Sequence, residues 1–328
     1  MKIFIILLSL FSCSLFSGCH KSEISNTDST KSHNTNIKDS SESNFEIKIV
    51  SDKKEYYQLE PVWITIQVKN IGANIDSFRY FANNEFLHGM TVEDKNNNQL
   101  QCKYPLIEYA SERLIRLNSN EQKSIVVGLN SGFGENELLY QYKPKYYFSP
   151  GKYLVKLKYY DGFHNKMMLP NNIEFSVKPP KKDALKIFNR IIEINKTYNV
   201  KPPNWNDFIK DIKKLYDNNQ HNIYSEVLLF NCAQNCIYEN YNNEKFINES
   251  KVFFDKYPDS YFNETMIESF VVSCAKGLKK QKQDVIDILN EIIAKHPNTK
   301  LHEAVLNLLN YDEFMNHLFK REKEKKKE

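Results

Sequence analysis

The sequence has none of the short motifs that carry the common catalytic chemistries. It contains no nucleophile elbow, no HExxH pair, no phosphate-binding loop and no paired-acid motif. Glycine is scarce, at 9 of 328 residues, and Gly132 and Gly134 lack the third glycine and the helix start of a phosphate cradle. Neither His88 nor His164 has a second metal ligand at a useful spacing. We therefore predict a protein that is not an enzyme and needs no cofactor or metal.

Charge of a single sign is also lacking. The chain has 45 lysine and arginine residues against 41 aspartate and glutamate residues, for a formal net charge of +4. The dense basic run in residues 320–328 is interrupted by Glu322 and Glu324. Because nucleic-acid binding needs a clustered basic stripe, we predict no nucleic-acid partner and interpret 320–328 as a charged, solvated tail.

The first residues have the pattern of an export signal. Lys2 precedes an apolar stretch, Ile3–Leu10, that is too short for a membrane span, and the segment ends in Ser17-Gly18-Cys19. This ending resembles the lipobox of bacterial lipoproteins, in which the signal peptidase cuts before a diacylated cysteine. The resemblance implies a signal peptide at 1–18 and a palmitate-type lipid on Cys19. It also implies export to a bacterial membrane, for which we favour the outer membrane or cell surface over the inner membrane.

Two alternatives to lipidation at Cys19 stay open. Cys13 is a competing acceptor with a shorter apolar stretch before it, and in an ordinary secretory signal Cys19 would be incidental. In either case residues 19–44 follow as a segment of serine, threonine, asparagine and balanced charge. Such a composition cannot bury a core, so we predict a disordered tether.

Residues 45–178 have the period of two that is typical of β-strands. Apolar residues alternate with polar ones in Phe45, Ile47 and Ile49, and again from Val62 to Val68. Further strand candidates share β-branched or aromatic content and lie at 76–81, 90–93, 99–104, 123–129, 152–160 and 173–178. The polar residues of Asp94–Asn98 predict a hairpin turn. Several short strands separated by turns predict an antiparallel β-sandwich.

The sequence Pro150-Gly151-Lys152-Tyr153-Leu154-Val155 resembles the turn and penultimate strand of immunoglobulin-like domains. In that family a tyrosine clamps the corner before the strand, so the resemblance implies this role for Tyr153. We therefore expect an immunoglobulin-like β-sandwich at 45–178, followed by a proline-containing linker at 179–182.

The second half, 183–319, contains a repeat. Residues 208–236 recur 38 and then 39 residues later in apolar columns, which include Phe208/Phe246/Val285, Ile209/Ile247/Ile286, Tyr224/Phe262/Leu301 and Leu228/Met266/Val305. A fixed period of this size predicts stacked helix pairs that form an α-α solenoid. We expect its extended concave surface to bind partners, with first-helix positions such as Lys210, Asn248 and Asp287 lining a groove.

The turns between the two helices of each unit strengthen this interpretation. Lys256-Tyr257-Pro258-Asp259-Ser260 and Lys295-His296-Pro297-Asn298-Thr299 place a proline where one helix stops and a capping side chain where the next begins. These units resemble the tetratricopeptide-like repeats of bacterial envelope lipoproteins, over about 205–312. The resemblance implies a protein-binding helical-repeat domain.

Two polar columns of the repeat have structural explanations. Glu226, Glu264 and Glu303 share a position in the first turn of the second helix, where the helix dipole favours negative charge. Cys236 and Cys274 share another column. Equivalent positions on neighbouring helices are at the limit of disulfide reach, so a bridge and two separate thiols both stay open.

Together these features predict a membrane-anchored bacterial lipoprotein that acts as a non-catalytic protein–protein interaction scaffold in the cell envelope. Its partners would be other envelope or surface proteins, and its membrane contact would be the N-terminal lipid. The alternative is a β-sandwich protease inhibitor or ligand-binding module, with the repeats as a spacer. In that case the long connections 105–122 and 130–151 would carry binding.

Overall fold

The computed structural model describes residues 44–104, 112–138, 146–161, 164, 166–198, 205–237, 243–310, 315–316 and 318–319. The predicted signal peptide, most of the tether and the tail 320–328 lie outside these residues. In the part of the chain that is described, no helix is long and apolar enough to cross a membrane.

An antiparallel β region comes first. Its described residues form fourteen strands: β1 (Phe45–Ser51), β2 (Glu55–Tyr57), β3 (Trp63–Asn70), β4 (Asp76–Phe81), β5 (Met90–Asp94), β6 (Gln99–Leu100), β7 (Glu112–Leu117), β8 (Gln122–Gly128), β9 (Asn136–Glu137), β10 (Tyr146–Tyr147), β11 (Gly151–Leu157), β12 (Tyr159–Asp161), β13 (Lys166–Met168) and β14 (Ile173–Lys178). One short helix, α1 (Ala82–Gly89), separates β4 from β5.

The strands form two larger sheets and three ribbons. The three-stranded sheet has the order β1-β3-β8, and the five-stranded sheet has the order β2-β14-β11-β5-β6. The ribbons are β4-β7, β9-β10 and β12-β13. All pairs are antiparallel except β2 with β14, which is parallel.

The predicted alternation decides which side chains enter the core. Ile64, Ile66 and Val68 of β3 are each 0% exposed, whereas the residues between them are half-buried. In the register of this sheet Ile66 lies opposite Ile49 of β1 and Ile125 of β8, so the three strands present one apolar face. That face contributes to one hydrophobic core with residues of the five-stranded sheet such as Val92 and Val155.

A helical region of seven α-helices follows within the described residues: α2 (Lys182–Thr197), α3 (Trp205–Asp217), α4 (Ser225–Cys236), α5 (Asn243–Lys256), α6 (Asn263–Val272), α7 (Lys282–Lys295) and α8 (Lys300–Leu309). A π-helical turn, Ser273–Gly277, extends α6. The first helices of the three units begin at Trp205, Asn243 and Lys282, which are 38 and then 39 residues apart. The predicted period is therefore the spacing of helix pairs.

The repeated apolar columns form the core of this region. Phe208, Phe246 and Val285, which share a column, are fully buried. Leu228, Met266 and Val305 of the second helices are fully buried as well. Each helix thus buries one apolar stripe against its neighbours, as expected for stacked helix pairs.

Candidate functional site

The β region and the helical region share a core along a seam. Leu59 and Leu138, which precede β3 and follow β9, are buried in the hydrophobic core of the helices. The ring of Trp63 lies edge-on to the ring of Phe262, with the ring centroids 5.0 Å apart. Apolar contact of this kind is typical of a fixed arrangement of two domains.

Polar contacts also cross the seam. The Tyr224 hydroxyl donates to the backbone oxygen of Gln58 at 2.7 Å, and Lys123 Nζ donates to Asn307 Oδ1 at 2.6 Å. Burial, with the nearby charge of Glu60 adding to it, raises the pKa of Tyr224 and keeps its hydroxyl protonated as a donor.

A half-buried carboxyl group, that of Glu226, also lies at the seam. Ser260 Oγ donates to Glu226 Oε1 at 2.5 Å. Burial raises the pKa of Glu226, while the Ser260 hydrogen bond and the charges of Lys53 and Lys300 act in the opposite direction. Since Lys53 belongs to the β region, its attraction to Glu226 acts across the seam.

The glutamate column is in the first turn of each second helix, as predicted. Its members nevertheless have different surroundings. Glu226 and Glu264 lie on the seam and are half-buried, whereas Glu303 is exposed. The sequence repeat therefore does not make the three carboxyl groups equivalent.

The seam leaves an open groove beside β8, which we call the seam groove. It consists of two cavities that meet at Glu264. The first is about 400 Å³ and is lined by residues that include Leu114, Arg116, Lys123, Ser124, Ile125, Glu264, Ile267, Glu268, Asn307 and Leu308. The second is about 180 Å³ and is lined by residues that include Trp63, Leu87, Tyr104, Val126, Val127, Gly128, Tyr261, Phe262 and Glu264.

The seam groove lies at a different place from the binding positions expected from the sequence. We expected binding positions on the first helices, at Lys210, Asn248 and Asp287. These three side chains are exposed and are not among the residues that line the seam groove, whose helical wall is formed by α6 and α8. Lys210 and Asn248 instead line two other surface cavities, of about 360 and 380 Å³. The walls of the seam groove therefore come from both the β region and the second helices.

A glycine shapes the second cavity. A Cβ at Gly128 would lie 2.9 Å from Cζ3 of Trp63, closer than side chains normally approach. Gly128 thus allows the indole of Trp63 to lie across the end of β8. The indole in turn reaches Phe262 at the start of α6.

The structure describes the two cysteines that share a column of the repeat, Cys236 and Cys274, but not the predicted lipidation site. Cys19 lies outside the described residues. Cys236 and Cys274 are buried thiols with no disulfide between them. Cys236 Sγ lies 3.1 Å from the backbone oxygen of Cys232, and burial raises the pKa of Cys274 to about 11. A thiol that is buried in this way is chemically inert. We therefore interpret Cys236 and Cys274 as two separate core residues and not as a disulfide.

The two long connections of the β region contain more structure than expected. Part of the connection 105–122 is strand β7, and part of 130–151 is the ribbon β9-β10. Residues 105–111 and 139–145 lie outside the described residues. The alternative hypothesis of binding through these connections therefore has less loop available than the sequence indicated.

One histidine–carboxylate cluster was not visible in the sequence. His164 Nδ1 lies 2.7 Å from Asp161 Oδ2, and His164 Nε2 lies 3.2 Å from Asp76 Oδ2. Asp161 is fully buried, and the cluster lines neither cavity of the seam groove. We interpret it as a clamp between the β12-β13 ribbon and β4. Among the described residues, no group of three or more His, Cys, Asp or Glu side chains is arranged to hold a metal ion.

Comparison with known proteins shows partial structural likeness only. No family model matches the chain, and no curated protein matches it significantly. The β-glucosidase EmGH1 from Erythrobacter marinus matches 41% of the chain at 10% identity and a TM-score of 0.24. A β-glucosidase from Listeria innocua matches 40% at 18% identity and 0.23. Northeast Structural Genomics Consortium target SoR45 matches 41% at 10% identity and 0.22, over 88% of its own chain. The chain spans only 15% and 16% of the two glucosidases, and at these TM-scores no activity follows.

Proposed function

We propose that this protein is a lipid-anchored component of the bacterial cell envelope that binds other proteins without catalysing a reaction. In this proposal Cys19 carries the lipid, at the outer membrane or cell surface, and residues 20–44 hold the folded part away from the bilayer. One observation carries the binding role: the β region and the helices share a core and leave a groove of cavities of about 400 and 180 Å³ between them. Grooves at domain seams are common sites of recognition.

The proposal includes a finer fold assignment for each region. The β region is an immunoglobulin-like sandwich, supported by the Tyr153 hydroxyl, which lies 2.7 Å from the backbone oxygen of Ser149 at the corner before β11. The helical region is a tetratricopeptide-like repeat, supported by the 38- and 39-residue spacing of the first helices.

The test is site-specific photocrosslinking in intact cells, with the photoreactive residue at one of two exposed positions. Ser124 lies on the seam groove, and Asn248 lies on the first-helix face as the matched control. We expect a defined envelope protein to be captured from Ser124 and not from Asn248. Failure to capture any protein from either position, or turnover of a substrate by the purified protein, would contradict the proposed function.

A further inference from the structure

A strained turn joins β2 to β3 at the seam. The N–H of Glu60 donates to the backbone oxygen of Tyr57 at 3.0 Å and closes a four-residue β-turn, Tyr57–Glu60, which we call the seam turn. Leu59, the third residue of this turn, has a φ of 69°. Glycine or asparagine normally occupies such a left-handed position, because a larger side chain places its Cβ too close to the following carbonyl oxygen. The seam turn therefore carries backbone strain at Leu59.

Leu59 differs from the other described non-glycine residues that have a positive φ. Its side chain is 1% exposed and belongs to the hydrophobic core of the helices. The others are exposed asparagines and lysines: Asn97, Asn120, Lys182, Lys279 and Asn298. A bulky apolar side chain gains nothing locally from a left-handed conformation. The burial of Leu59 among the helices must therefore offset the strain.

The helices and the β region both hold the seam turn. From the helical side, the Tyr224 hydroxyl donates to the backbone oxygen of Gln58 at 2.7 Å. Inside the turn, the Glu60 carboxylate accepts from the N–H of Tyr57 at 2.9 Å. The burial of Leu59 and the bond from Tyr224 would both be lost if the turn left the helices. The left-handed conformation would then have only its internal hydrogen bonds and would relax.

The seam turn leads directly into the wall of the seam groove. Pro61 follows the turn and Trp63 begins β3, and both line the second cavity. Trp63 also contacts Phe262 at the start of α6. Because the groove takes its walls from both regions, it has its described shape only while the seam turn is docked on the helices.

We propose that the seam turn is a strained latch with a closed and an open state. The closed state is the described one. In the less populated open state, Leu59 leaves the helical core, its φ becomes negative and the hydrogen bond from Glu60 to Tyr57 breaks. A partner that contacts both walls of the seam groove binds the closed state only and shifts the latch toward it. This inference rests on the proposed binding function and specifies how its site is regulated.

The test is native-state amide hydrogen exchange of the detergent-solubilised full chain, resolved to single residues. The Glu60 amide reports the latch, because its hydrogen bond exists only in the closed turn. The amides of Ile64 and Val68 in the central strand β3, both 0% exposed, report unfolding of the whole β region. We expect the protection factor of Glu60 to be at least about hundredfold lower than theirs and to depend less on urea.

Leu59→Ala and Ile66→Val form a matched pair of variants. Leu59→Ala removes a side chain that is buried only in the closed state, so we expect exchange at Glu60 to become about thirtyfold faster or more. Ile66 of β3 is buried in both states. We therefore expect Ile66→Val to speed exchange at Val68 by about threefold and to leave exchange at Glu60 unchanged.

Two further variants test the strain and the coupling across the seam. Leu59→Gly lacks the side chain, as Leu59→Ala does, but accepts a positive φ without strain. We expect exchange at Glu60 to be about threefold slower in Leu59→Gly than in Leu59→Ala, the reverse of the usual effect of glycine. Tyr224→Phe removes only the hydroxyl group on the helical side. It should speed exchange at Glu60 by about fivefold, because it weakens the closed state alone.

The outcomes separate this inference from the proposed function. Equal protection of Glu60 and Val68 in the wild type, or faster exchange at Glu60 in Ile66→Val, overturns the latch and makes Leu59 a static core residue. Unchanged exchange at Glu60 in Tyr224→Phe also overturns it, because the turn would then move independently of the helices. Circular dichroism checks that each variant folds, and the wild-type comparison decides if Leu59→Ala does not. Absence of any partner in the photocrosslinking experiment contradicts the proposed function, whatever the amides show.

Discussion

The indole of Trp63 and the ring of Phe262 join the two regions of this protein, edge to face at 5.0 Å. Trp63 is also 5.7 Å from Tyr261, whose ring lies under Lys300 Nζ. We expect Trp63→Ala to destabilise the protein by about 2–3 kcal/mol, below the cost in a full core because the side chain is half-buried. Urea unfolding followed by circular dichroism measures this. Trp63→Phe, which keeps a ring, should lose less than half as much, and an unchanged midpoint for Trp63→Ala would show that the seam does not depend on this contact.

The corner before β11 depends on the Tyr153 hydroxyl, which lies 2.6 Å from Glu135 Oε1 and 2.7 Å from Ser149 O. Burial is the largest cause that raises the pKa of Tyr153, and Glu135 adds to it, so the hydroxyl stays a donor. We predict that Tyr153→Phe costs about 1–2 kcal/mol in thermal or urea unfolding, the usual cost of a lost buried hydrogen bond. Glu135→Gln keeps an acceptor oxygen and should cost less. Equal losses for the two variants would mean that Glu135, and not the corner bond to Ser149, is the main contact.

The seam should become more stable when Glu226 loses its charge. Because the pKa of Glu226 is higher in the folded chain than in the unfolded chain, its contribution is most favourable at low pH and declines as the pH rises through the folded pKa. We therefore expect Glu226→Gln to gain stability relative to the wild type at pH 7, and to gain less at pH 4. The exposed Glu303→Gln is the control in the same urea titrations. A larger gain at pH 4 than at pH 7 would reverse the assigned sign.

The β1 edge should depend on Asn171, whose side chain makes both hydrogen bonds to Ile49. We expect Asn171→Ala to lower the free energy of unfolding by about 1–2 kcal/mol and to raise the tendency to aggregate, because it uncovers the backbone N–H and C=O of Ile49 at the β1 edge. Asn172→Ala, its exposed neighbour, is the control. Light scattering and urea unfolding measure both effects, and identical behaviour of the two variants would contradict the capping role.

Lipidation predicts where the chain is found in cells. Cys19→Ala should abolish incorporation of labelled palmitate and move the protein from the membrane fraction to the soluble fraction, because a chain without acyl groups has no membrane anchor. Cys13→Ala should stay anchored. The reverse pattern would assign the lipid to Cys13, and membrane attachment in both variants would favour an uncleaved anchor.

Much of the secondary structure could be predicted because its signals are local. The alternation from Val62 to Val68 identified β3, and the Asp94–Asn98 turn does join β5 to β6, with Asp94 Oδ1 accepting from the N–H of Asn96 and of Asn98. The strands that were missed, β2, β7, β9, β10 and β13, have two to six residues. Their pattern is too short to detect, and they exist because a partner strand offers hydrogen bonds.

The candidate site could not be predicted in the same way. Ser124 is an ordinary residue of a strand, and it lines the seam groove only because the helices pack against the β region. In the sequence, the helix dipole already explains a glutamate at position 264. Its place on the wall of the seam groove depends on the β region, which lies more than one hundred residues earlier in the chain. No local signal could have indicated either.

The sequence by itself determined the order of the two regions, the alternation that forms the first core and the 38- and 39-residue period that forms the second. These features follow from the spacing of apolar residues, because the geometry of a single strand or helix decides which residues share a face. Only the tertiary structure decided that the β region packs along the second helices α6 and α8 and that a groove lies between them beside β8. Those features depend on how two finished surfaces pack together, and the packing of surfaces is not encoded in any single segment.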